Sequence, residues 1–177
     1  MELIREQTVA FTGSRALTTS MANPNNVEST IRTALCSLLE ECYNRGKRTF
    51  LSGMAIGWDM ICAEEVLKLR EKYHDIRLIS VIPFEGQEER FSQRDKTRYH
   101  ELLTEADDTI IITTSGYNAN AYHKRNDFLV KNSSEIIAYD NGKPRSGTSS
   151  TINKAKKNGL KIHNLCVDLQ PDPVLFL

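Results

Sequence analysis

The chain has 177 residues, with 23 Lys and Arg balancing 23 Asp and Glu, and 40% hydrophobic residues. That length suits a single domain over 1–177, which buries roughly 70% of its unfolded surface without a metal or disulfide staple. Zero net charge excludes the broad field of a protein that coats nucleic acid or anionic membrane, so any such binding is local. Cys36, Cys42, Cys62 and Cys166 form no C-x-x-C pair and are expected to be reduced and mostly buried. The N-terminus lacks a hydrophobic signal core, and no apolar run approaches the ~20 residues that span a bilayer. A cytoplasmic protein without membrane contact is predicted. His74, His100, His123 and His163 lack ligand spacing, so no metal site is expected.

Strand and helix patterns alternate along the chain. Thr8 to Thr12 reads as a buried strand, and Asn25 to Arg45 as a helix with Val27, Ile31, Leu35, Leu38, Leu39 and Cys42 on one face. Thr49 to Ser52 is a second strand, followed by a helix from Gly57 to about Lys72. Arg77 to Ile82 is a third strand closed by Pro83, then a helix over roughly Glu88 to Ala106 and a strand at Asp108 to Thr113. A helix at about Tyr122 to Asn132, a strand at Glu135 to Tyr139, a helix at Thr148 to Asn158 and a strand at Leu160 to Cys166 complete the series. This order predicts an α/β fold, Rossmann-like and doubly wound, with a mostly parallel sheet and helices on both faces.

Two glycine-containing turns, Ser52 to Asp59 and Gly142 to Thr148, each follow a strand and open a helix. Glycine lets backbone approach a ligand closely, and a helix N-terminus presents unpaired N–H groups and the positive end of its dipole. The doubled arrangement predicts one nucleotide-like ligand held by loops at the carboxyl edge of the sheet. Gly13, Ser14 and Arg15 after the first strand, with Ser52, Gly53, Gly57, Arg145, Ser146, Gly147 and Thr148, are the binding candidates these loops supply. Arg145 offers a planar fork for phosphate oxygens just ahead of the last helix. Trp58 has two readings, stacking on a base or plugging the end of the sheet.

The segments Val9 to Arg15 and SGMAIGWD with Ala63 and Glu64, the pair Arg125-Asn126, and SGTSST at Ser146 to Thr151 together resemble the SMF/DprA–LOG superfamily, and within it the YpsA-like proteins. The resemblance runs along nearly the whole chain in the same order. It implies a Rossmann-like domain that binds ADP-ribose or a nucleoside phosphate, with a sensor or nucleotide-processing role and no required cofactor. Gly13, Gly53, Gly57, Gly147 and Thr148 match positions where the family's backbone meets a ligand. Asp59 matches an acidic position suited to ribose hydroxyls, helix N-capping being its plainer role. Arg125 and Asn126 match a basic-polar pair.

Two alternatives follow from the same resemblance. The superfamily's phosphoribohydrolases carry P-G-G-x-G-T-x-x-E, and Thr151 stands at the place of the final glutamate. An N-glycosidic hydrolase would therefore draw its carboxylate from elsewhere, with Asp59 and Glu64 the catalytic candidates and Glu85 a further acid. The DprA resemblance implies single-stranded DNA binding, with local basic charge from Lys124, Arg125, Lys131, Lys143, Arg145, Lys154, Lys156, Lys157 and Lys161. The apolar tail Asp172 to Leu177 is expected to pack on the domain or across a homo-oligomer.

Overall fold

The computed structural model describes residues 2–17 and 24–168. The regular elements are β1 (Thr8–Gly13), α1 (Pro24–Asn44), β2 (Thr49–Ser52), α2 (Trp58–Lys72), β3 (Arg77–Ile82), α3 (Gln93–Glu105), β4 (Asp108–Ile111), α4 (Ala119–Lys131), β5 (Glu135–Tyr139), α5 (Gly147–Lys157), β6 (Lys161–Asn164) and α6 (Leu165–Asp168). Single 3-10 turns lie at Arg5–Gln7 and Gln87–Arg90. The tail from Asp172 to Leu177 is outside the described residues.

The strands form one sheet in the order β4-β3-β2-β1-β5-β6, with every neighbouring pair parallel. Side chains alternate across it. Val9, Phe11, Ile137 and Tyr139 join Leu35, Trp58, Ile61, Leu102 and Leu165 in one layer, under α1, α2, α3 and α6. Ala10, Leu51, Ile79, Val81 and Ile136 join Leu129, Ile152 and Ala155 in the other, under α4 and α5. Coverage of both faces is why β1, β2, β3 and β5 read as nearly continuous apolar runs. β4, at the edge, is mostly exposed. The Rossmann-like fold expected from the alternating pattern is therefore present.

The chain crosses from β4 at one edge to β5 on the far side of β1, so strand order reverses between β1 and β5. Loops leaving those two strands diverge above the sheet and open a crevice at its carboxyl end.

Some boundaries differ from the sequence reading. The helix expected from Glu88 to Ala106 is broken, because Gly86 in the left-handed region (φ 84°) starts a 3-10 turn and Ser92 caps α3 by accepting from the Asp95 N–H. α4 starts at Ala119, capped by Asn118, rather than near Tyr122. The final strand stops at Asn164 and passes into α6. Of the cysteines, Cys42, Cys62 and Cys166 are buried, Cys36 is exposed, and all are free thiols.

Two ion clusters brace the fold away from the crevice. Arg32 of α1 joins Glu28, Glu64 and Glu65, and Arg98 of α3 also grips Glu64, tying three helices together. At the amino end of the sheet, Glu135 meets Arg45 at 2.7 Å, Lys47 at 3.3 Å and His163 at 2.9 Å. Despite its burial, the hydrogen bonds and positive charges from these partners hold the Glu135 carboxyl at a pKa of about 2.

Candidate functional site

The loop after β1 is locked at its base. The Ser14 N–H donates to the Tyr139 carbonyl at 3.0 Å, and the Trp58 N–H donates to the Ser14 carbonyl at 3.2 Å, so β1, β5 and α2 share one junction. Gly13 is required there because a Cβ would lie 2.3 Å from the Trp58 ring. Trp58 itself is fully buried, donates from Nε1 to the Ile137 carbonyl and packs 5.3 Å from Tyr139. It plugs the sheet end, which removes the reading that it stacks on a base.

α5 presents its N-terminus to the crevice. The Ser146 side chain accepts from the Ser149 N–H at 3.0 Å, and the Ser149 hydroxyl donates to Asp140, whose carboxylate also accepts from the Gly142 N–H. This cap leaves the Gly147 and Thr148 N–H groups at the opening turn, on the wall that both residues line. A Cβ at Gly147 would meet nothing within 4 Å. Arg145, just ahead, sits at φ 56°, a left-handed conformation that costs a non-glycine residue about 1–2 kcal/mol.

The crevice encloses about 560 Å³ and is lined by Gly13, Ser14, Arg15, Asp59, Arg125, Asn126, Arg145, Ser146, Gly147 and Thr148, together with Tyr122, Asn141 and Lys143. Arg15, Lys143 and Arg145 are exposed on its rim, and among the described residues none has a carboxylate within ion-pair distance. Deeper in, Arg125 donates to the Gly53 carbonyl at 2.7 Å and to the Asn126 side chain at 2.8 Å, and lies 3.6 Å from Asp59. Burial pushes the Asp59 carboxyl pKa up against the opposing pull of Arg125, and burial likewise lowers that of Arg125. Cations therefore outnumber carboxylates on this wall, with Arg15, Arg125, Lys143 and Arg145 against Asp59.

A second cavity of about 350 Å³ adjoins the first, sharing Arg15 and Tyr122 with it. Phe84, Gln87, Arg90 and Tyr117 line this annex, with Phe84 edge-on to both Tyr117 and Tyr122.

Ser52, Gly53 and Gly57 serve the fold instead of the crevice, whereas Asp59 both braces its loop and lines the crevice. The Ser52 hydroxyl is buried, donating to the Asp59 carbonyl and accepting from the Met54 N–H. Gly53 makes room for Arg125, since a Cβ would fall 1.6 Å from its Nη1. Gly57, at φ 83°, lets Arg15 backbone pass, because a Cβ would lie 2.3 Å from the Arg15 carbonyl oxygen. Asp59 is the second residue of α2 and accepts from the Ala55 N–H at 3.4 Å, while Gly57 holds the cap position.

Glu64, a catalytic candidate, does not line the crevice: both its oxygens are taken by Arg32 and Arg98 between α1, α2 and α3. Thr151 is fully buried and donates to the Gly147 carbonyl. The basic residues of the DNA reading do not form one stripe. Lys154 pairs with Asp127, Lys156 and Lys157 end α5, and Lys161 starts β6 at the amino end of the sheet, away from the crevice. Among the described residues no cluster of three or more His, Cys, Asp and Glu side chains could hold a metal ion, and no helix is long and apolar enough to cross a membrane.

Gln87 escaped the sequence reading, which began a helix at about Glu88, just beyond it. The available signal was Gly86, three residues beyond Pro83 at a strand's carboxyl end.

Comparison with known proteins agrees with this geometry. The solved DNA processing protein A of Streptococcus pneumoniae superposes with a TM-score of 0.61 at 18% identity, over 89% of this chain and 49% of that one. That of Helicobacter pylori, whose structure addresses its single-stranded DNA binding mode, gives 0.61 and 18% over 89% and 64%. This chain thus spans about half to two thirds of those proteins, and the likeness establishes the shared fold. An uncharacterized SPbeta prophage-derived protein of Bacillus subtilis, YoqJ, is 30% identical over 153 residues, 79% of this chain and 87% of its own length. The family model described as the YspA SLOG family matches residues 9–169. With that match running from β1 through both loops of the crevice to the end of α6, the chain belongs to the YpsA family of SLOG proteins.

Proposed function

We propose that the crevice binds a nucleotide-derived ligand of the ADP-ribose or nucleoside-phosphate type. Its phosphate sits at the N-terminus of α5 between Arg15 and Arg145, with ribose hydroxyls toward Asp59. The observation that carries this reading is the conjunction of the open helix N-terminus at Gly147 with Arg15, Lys143 and Arg145 on the rim, cations with no carboxylate within ion-pair distance among the described residues. Backbone N–H groups and guanidinium forks are the two kinds of donor that phosphate oxygens accept best.

The test is a thermal-shift screen with ADP-ribose and nucleoside phosphates. Ligand at about 100 times its dissociation constant stabilises the fold by about 2.7 kcal/mol. Gly147→Val is expected to abolish the shift while leaving the unliganded melting temperature nearly unchanged, because the added side chain enters open crevice. Gly53→Val is a poor control, since it collides with Arg125 and damages the fold itself. A panel that shifts nothing in the wild type refutes the proposal. Binding to an oligonucleotide alone, falling steeply with salt, points to the DNA reading.

Arg145 gives an independent check. Arg145→Gly removes the guanidinium and also relieves the left-handed backbone, so affinity is expected to fall roughly 10- to 100-fold while stability rises by up to about 1 kcal/mol. Arg145→Ala loses the same affinity without the stability gain. Calorimetric titration with the nucleotide found in the screen, beside thermal melts, separates the two effects. Unchanged affinity in both variants assigns the phosphate to backbone N–H groups and Arg15.

A further inference from the structure

Gln87 holds an unusual position. It is 5% exposed and lines the annex, and its amide nitrogen donates to the Gly53 carbonyl at 3.2 Å. A carbonyl oxygen only accepts, so this bond fixes the amide with Nε2 toward Gly53 and Oε1 away from it. Oε1 is buried and has no hydrogen-bond partner. A buried acceptor is normally satisfied, and one with no partner in the chain takes its hydrogen bond from an ordered water or from a ligand donor. The surrounding wall is mixed: Phe84, Tyr117 and Tyr122 present ring faces and edges, Glu85 and Glu89 add carboxylates, and the Arg90 guanidinium lies 5.3 Å from the Tyr117 ring centre. Flat aromatic solutes stack on such surfaces.

We propose that the annex is a nucleobase subsite in which Gln87 Oε1 accepts a hydrogen bond from an exocyclic amino group of the base, with Phe84, Tyr117 and Tyr122 packing on its ring. The ligand is then an amino-bearing nucleotide of adenine or cytosine, the bases whose amino group is the only donor on the pairing edge, and adenine is the one tested. This rests on the nucleotide reading of the crevice and adds base selectivity to it. Arg15 and Tyr122, which line both cavities, mark the passage through which ribose joins base to phosphate. Gly53 links the halves as well, since its carbonyl accepts from both Arg125 and Gln87.

The experiment compares adenosine 5′-monophosphate with purine riboside 5′-monophosphate, which lacks only the amino group, by calorimetric titration of the wild-type protein. The amino compound is expected to bind about tenfold more tightly. Gln87→Met should bring both to the level of the weaker, leaving purine riboside 5′-monophosphate nearly unaffected. Tyr117→Ala, at a residue 66% exposed, leaves the core untouched and should weaken both nucleotides while sparing ribose 5-phosphate. Equal wild-type affinities for the two nucleotides overturn the base subsite while leaving the crevice assignment standing. Failure of every phosphorylated probe, ribose 5-phosphate included, overturns the crevice assignment itself.

Discussion

Arg125→Met is expected to lower the unfolding free energy by about 3–5 kcal/mol, because it strands a buried carboxylate. Arg125 and Asp59 are both buried, and the guanidinium also serves the Gly53 carbonyl and Asn126. Methionine keeps most of the stem's volume, so the loss reports charge and hydrogen bonding rather than a cavity. The pH dependence adds a second signature. Burial already raises the Asp59 pKa with Arg125 present, and without that cation it rises further. The folded variant then binds a proton at pH values where the unfolded chain, titrating near ~3.9, does not. Acidification from neutral toward that value therefore narrows the deficit. Asp59→Asn combined with Arg125→Met should cost less than Arg125→Met alone, the coupling expected of contacting charges. Urea denaturation followed by circular dichroism at several pH values measures all of this. A loss under about 1 kcal/mol for Arg125→Met, flat with pH, would show that Asp59 does not depend on this partner.

Glu135→Gln acts at the other end of the sheet with comparable force. Lys47 and Glu135 are both buried, so neutralising the carboxylate leaves an ammonium ion uncompensated at an expected cost of about 3–5 kcal/mol. In the wild type the carboxyl titrates at about 2 in the fold and near ~4.3 when unfolded. That depression contributes about 3 kcal/mol, fully present above the unfolded value and lost as pH falls toward 2. The difference between wild type and Glu135→Gln should accordingly shrink as the pH falls below about 4 toward 2. A difference that persists unchanged in acid would mean that geometry, not charge, is what glutamine disturbs.

The parallel core was legible because strands buried on both faces leave an unmistakable record: TVAF, TFLS, RLISVI and EIIAY carry almost no polar residue that is not at an end. The crevice loops were legible because a glycine turn from a strand into a helix places a helix N-terminus at the carboxyl edge of the sheet. The sequence did not distinguish glycines that open on the crevice from glycines that make room for a side chain. Gly147 opens on the crevice whereas Gly53 accommodates Arg125, a partner 72 residues away. Glu64 shows the same limit, because its partners Arg32 and Arg98 come from helices on either side in sequence. Gln87 was hidden by its exposed-looking neighbours Glu88, Glu89 and Arg90, which read as a solvated helix until Gly86 turns the chain inward.

Trp58 is the only tryptophan in the chain, and its ring forms the floor directly beneath Gly13. The protein therefore carries one native fluorophore, held dry and wedged against the strand end from which the crevice loop departs. Any displacement of that loop changes the packing on the indole before it changes much else. Emission from the unmodified chain is thus a local optical gauge of the crevice, free of background from other indoles and needing no attached dye.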